Sequence, residues 1–188
     1  MPPRYRKSVE QAITLFRFLE KKESATFGAV FQPLLGPLDD AATALISDTL
    51  SAHVPADPQA QKIFFEPLYD SLKKGDMRYH IDNAKRLRRL LVHKTPLMPV
   101  GQLNFCLRYS TQTHEVGGVF QAIRDGFASL GQTNFAAQVE SIYEFRNKHV
   151  AHVDVELQDR ALAETGLKHW VDGLVAIHAL RTNGGKGS

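Results

Sequence analysis

FAAQVESIYEFRNKHVAH, residues 135–152, decides the fold and suggests a site. Phe135, Val139 and Ile142 recur at spacings of four and three, one face of an amphipathic helix. The same rule places Arg146 and His149 next on that face, where Leu or Val would be expected. A charge on a core stripe is costly unless a partner chain, a ligand or a catalytic role compensates. If the α-helix holds that far, Arg146, His149 and His152 step round it by about 60° each and rise roughly 4.5 Å per step. They would form a shallow diagonal ridge. Asn147 sits to the other side, where its amide could hold the loop or Arg146. Arg binds phosphate oxygens bidentately, and His moves protons near neutral pH. Such a set, without a carboxylate, suits phosphate chemistry.

Further helices extend in both directions from this one. Downstream, a helical pattern covers Val155 to Arg181, and upstream another covers Glu115 to Leu130. Every proline lies at or before Pro99, so the second half is free to form long helices. In the first half, Met1 to Lys7 reads as a loose basic lead-in. Ser8 with Gln11 has the form of a capping box opening a helix to Lys22. Leu38 to His53 is a second helix. Asp57 followed by Pro58 marks the start of a third, running to Lys74. Gly75-Asp76 ends that helix, Met77 to His93 forms the next, and Gln102 to Tyr109 another. Alternating β-branched runs are missing, so the expected fold is an all-α helical bundle. Its expected divisions are an N-terminal helical extension over 1–56, a helical core over 57–181 and a flexible tail over 182–188.

Arg146, then Asn147, then a short run ending in Ala151-His152 resembles the signature of the HEPN superfamily: an Arg, a polar neighbour and a His a few residues on. Five residues separate Arg146 from His152. Arg86 and Arg88 also precede a His, His93, and Arg108 precedes His114, but Leu87, Arg89 and Tyr109 follow those arginines, and only Arg146 is followed by Asn. The resemblance implies a HEPN-like bundle of four or five helices that dimerises across this motif. In catalytic members it implies metal-independent RNA cleavage; other members keep the fold and act as scaffolds. Carried onto this chain, Arg146 would bind the scissile phosphate and His152 would move a proton. Asn147 would orient Arg146, and His149 would be a secondary candidate. A toxin with an antitoxin partner, or a component of a defence complex, is the implied setting. The alternative is a non-catalytic HEPN-like dimerisation or interaction domain.

Composition bounds these readings. The chain has 188 residues, 43% hydrophobic and 23% charged, with a net charge of +3. That is ordinary for a globular fold, and a pI near 9.0 permits an acidic partner such as RNA. The single cysteine, Cys106, excludes an intrachain disulfide, and no secretory signal or membrane-length apolar run is present. A reducing cytoplasm is therefore the expected setting. The most basic segment, Lys85 to Lys94, carries Lys85, Arg86, Arg88 and Arg89; with Lys148 these are the expected RNA contacts. A plain solvated helix face would read the same way. His149 and His152 have the spacing of a metal-ligand pair, but the third and fourth donors are missing and no Glu-x-x-His occurs. Neither a metal nor a cofactor is expected.

Overall fold

The computed structural model describes residues 1–66, 74–112, 117–151 and 156–184. Among them are eight α-helices and no strand, so the fold is all-α. The helix expected to reach Lys74 ends at Phe65, and those expected from Glu115 and Val155 start at Val119 and Arg160. Positions 67–73, 113–116, 152–155 and the tail beyond Gly184 lie outside the described residues. The contacts gather the chain into two compact units. One joins residues 1–41 to those from 137 onward, and the other is 42–136.

In the first unit, α1 spans Pro3–Leu19. The lead-in is therefore helical, and Ser8 lies inside the helix instead of capping it. Pro3 opens α1 because proline's fixed φ suits a first turn whose N–H groups lack partners in any case. Tyr5, Val9, Ala12 and Phe16, spaced four, three and four, form its buried stripe. A 3-10 turn at Gly28–Phe31 leads into α2, Gln32–Leu50, which starts six residues before the expected Leu38. Pro33 falls in its first turn. Pro37 is tolerated inside because the residue before it is Gly36, which has no Cβ to clash with the proline ring.

The same unit holds the end of α7, Asn134–Phe145, and all of α8, Arg160–Gly184. Asp159 caps α8, its Oδ1 accepting from the Leu162 N–H at 3.0 Å. The helix runs through Thr182 to Gly184, residues expected in the tail. Trp170 meets Phe31 edge-on at 5.0 Å, and Phe31 meets Phe145 at 4.9 Å. This aromatic series links α8, the 3-10 turn and α7, and it ends at the motif.

The second unit contains α3 (Pro58–Phe65), α4 (Lys74–Leu91), α5 (Pro99–Tyr109) and α6 (Val119–Gly131). Asp57 caps α3 as expected, its Oδ1 accepting from the Ala60 N–H at 2.8 Å. Gly75-Asp76 does not separate two helices; α4 already begins at Lys74. A glycine in a first turn costs little of the roughly 1 kcal/mol it costs in a helix interior. α5 is the most buried helix, with Leu103, Phe105, Cys106 and Leu107 all enclosed. Gly118, just before α6, has φ +63°, and a Cβ there would run into the Phe64 carbonyl. Only glycine fits both the left-handed backbone and that approach.

Candidate functional site

The motif is not α-helical. Residues Arg146–Val150 wind as a π-helix, closed by the Ala151 N–H donating to the Arg146 carbonyl at 2.8 Å, five residues back. The wider winding replaces the expected ridge, which assumed 3.6 residues per turn. Single π turns inside α-helical segments are rare and occur frequently at functional sites. Here the turn follows α7 directly and packs against the 3-10 turn at Gly28–Phe31.

Arg146, Asn147, Lys148 and His149 share this π turn. Arg146 is largely buried, with its side chain 18% exposed. One prong of the guanidinium, Nη2, donates to Asp39 Oδ2 at 3.5 Å. The other, Nη1, is enclosed and has no hydrogen-bond partner among the described residues. A buried donor left unmatched costs roughly 1–3 kcal/mol. The compensation expected for a charge on a core stripe thus comes in part from this chain's own α2.

His149 is half-buried and packs its ring on Phe145 at 4.9 Å. Burial, and secondarily the adjacent Lys148 ammonium, holds its imidazole below the usual range. It is therefore neutral near pH 7. Its Nδ1 is enclosed and has no partner among the described residues. A neutral imidazole with an uncommitted nitrogen can accept a proton. Asn147 is half-buried and forms no side-chain hydrogen bond among the described residues, while Lys148 is exposed. His152 lies outside the described residues.

The other expected RNA contacts are on α4, in the second unit. Lys85 and Arg89 are exposed, and Arg86 and Arg88 half-buried. Arg88 Nε is enclosed without a partner among the described residues. Among those residues no group of three His, Cys, Asp or Glu side chains could hold a metal ion, and no helix is long and apolar enough to cross a membrane.

Asp39 is the site residue that sequence reasoning missed. It lies 107 positions before Arg146, on the edge of the α2 stripe formed by Leu34, Leu38 and Ala42. Its only sequence signal is an acid beside an apolar face, which many solvated helices share. Comparison with protein families, with curated proteins and with solved structures finds no match.

Proposed function

We propose that this chain is a metal-independent RNA endonuclease of HEPN type, acting as a toxin or defence component, with two copies pairing across the motif. The observation that carries the reading is Arg146: a largely buried guanidinium with one prong held by Asp39 and the other enclosed and unmatched. Such a group fits an oxyanion, because a phosphate oxygen would complete its hydrogen bonding and balance its charge. In the reaction Arg146 binds the scissile phosphate and stabilises charge developing on its oxygens. His152 moves the proton on or off the attacking 2′-hydroxyl or the leaving oxygen. His149, neutral and on the same π turn as Arg146, is the second imidazole available for that work. Asn147 orients Arg146 or the phosphate, and Lys148 contacts the flanking strand.

The test is cleavage of varied single-stranded RNAs in excess EDTA. Activity should persist, products should end in a 2′,3′-cyclic phosphate, and 2′-O-methyl at the cut should block it. His152→Ala should abolish turnover while RNA binding survives, since a general acid–base contributes typically 10²–10⁴-fold. No cleavage by wild type on any RNA, or equal cleavage by His152→Ala, removes the enzyme reading. One observation favours the other reading, a non-catalytic interaction domain: Asp39 already satisfies part of Arg146, as it would in a purely structural pair.

A further inference from the structure

α4 presents a second surface, in the unit that does not contain Arg146. At 3.6 residues per turn, Arg78, Lys85 and Arg89 fall within about 40° of one another and cover roughly 16 Å of helix axis. Arg86 and Tyr79 flank that line on one side. The opposite face is core, with Ala84, Leu87 and Leu90 buried. Arg78, Lys85 and Arg89 are exposed, and none of the four cations forms an ion pair among the described residues. Asp82 is the acid on this face.

Tyr79 supplies a second, independent observation. It is 56% exposed, although its ring meets two buried rings edge-on, His80 at 5.8 Å and Phe105 at 5.5 Å. Those contacts brace the ring, so little side-chain freedom remains to be lost when something stacks on it.

We propose that this face of α4 binds a single-stranded nucleic acid, with Arg78, Lys85, Arg86 and Arg89 following its phosphates and Tyr79 stacking on a base. A duplex keeps its bases stacked on one another, so only an unpaired base can use the ring. An acidic peptide would meet the cations but not the aromatic face. A lipid surface would need an apolar helix face to insert, and that of α4 is already in the core. The inference rests on the proposed function for the class of ligand alone and does not need cleavage.

Fluorescence anisotropy with labelled 12-nucleotide single-stranded RNA and DNA tests it, over 50–200 mM salt. Four phosphate contacts give a log K against log salt slope of about −3, and Arg78→Gln with Lys85→Gln should halve it. Tyr79→Ala should weaken binding about 5- to 150-fold with the slope unchanged, whereas Tyr79→Phe should bind as wild type. Circular dichroism checks that each variant is folded. Wild-type affinity in Tyr79→Ala, an unchanged slope in the double variant, or equal competition by polyglutamate or phosphatidylserine vesicles overturns the proposal. The two readings fail separately. Intact α4 binding without any cleavage removes the nuclease alone. Cleavage with α4 variants that bind as wild type removes this surface alone.

Discussion

Asp39→Ala and Arg146→Met should not be equivalent, although each breaks the same ion pair. Arg146 is 18% exposed and Asp39 29%. Asp39→Ala leaves a largely buried guanidinium without its acceptor. Losing one partner of a buried pair costs roughly 3–5 kcal/mol, and an exposed pair is worth ~0.2–1 kcal/mol. A single contact at 3.5 Å with this exposure falls between, at about 1–2 kcal/mol. For a chain of this size that lowers Tm by about 2–8 °C. Arg146→Met loses the same pair but also removes Nη1, whose unmatched burial costs about 1–3 kcal/mol. Asp39 is the more exposed partner, although its Oδ1 is enclosed as well. Arg146→Met should therefore lie within about 1 kcal/mol of wild type and clearly above Asp39→Ala. The double variant should recover much of the Asp39→Ala loss, a coupling of about 1–2 kcal/mol. Trp170 is the single tryptophan and is buried in the same unit, so its fluorescence during denaturation reads the relevant transition. If Arg146→Met proves the more damaging variant, or the two losses simply add, Arg146 is a structural pillar and its spare prong has no functional meaning.

His149 should introduce a pH dependence of known sign. Its folded imidazole titrates below the unfolded one, so stability is full above about pH 6.5 and falls as pH drops through the folded pKa. His149→Gln should remove that slope, and NMR titration should place its midpoint below that of a free imidazole; a midpoint at or above the free value would contradict the burial argument. Gly166→Ala should destabilise by about 1 kcal/mol, because the new methyl drives into the Phe145 ring and overpacking outweighs the gain in helix propensity. Denaturation should show this, and an Ala variant more stable than wild type would mean that Phe145 can move aside. Asp57→Ala should cost about 1 kcal/mol through loss of the α3 cap, read as a lower urea midpoint of the second unit.

The all-α class was legible because periodicity is a local property: stripes such as Phe135, Val139 and Ile142 can be read along the chain, and all three are buried. The Asp57-Pro58 start was legible for the same reason, since the cap and the N–H that donates to it lie within four residues. Boundaries set by tertiary packing were not. Tyr5, in the basic lead-in, is buried against its unit, and Gly36 relieves one of the clashes that Pro37 would otherwise make inside α2. Within the site, Arg146 and His149 stood out as polar residues on an apolar stripe, but the π winding did not, because no residue in RNKHV specifies it. Asp39 was hidden twice. The pair spans 107 residues, and a helix assumed to begin at Leu38 puts Asp39 in its first turn, where an acid is favourable without any partner.

The division of the chain also sets an order of assembly. Residues 42–136 are contiguous and have left the ribosome before those from 137 onward follow them, whereas the first unit needs both ends of the sequence. Domains generally fold as units during synthesis, amino-terminal material first. Here α1 emerges well before α8 and must wait, with Tyr5, Val9 and Phe16 still lacking the α8 residues that complete their unit. Asp39 waits equally for Arg146, and Glu20 for Arg160, 140 positions later. Such long loops must close before the non-local contacts of this unit can form. It also means that the Arg146 site cannot exist on an unfinished chain: a truncated translation product keeps Asp39 and lacks the group that Asp39 holds.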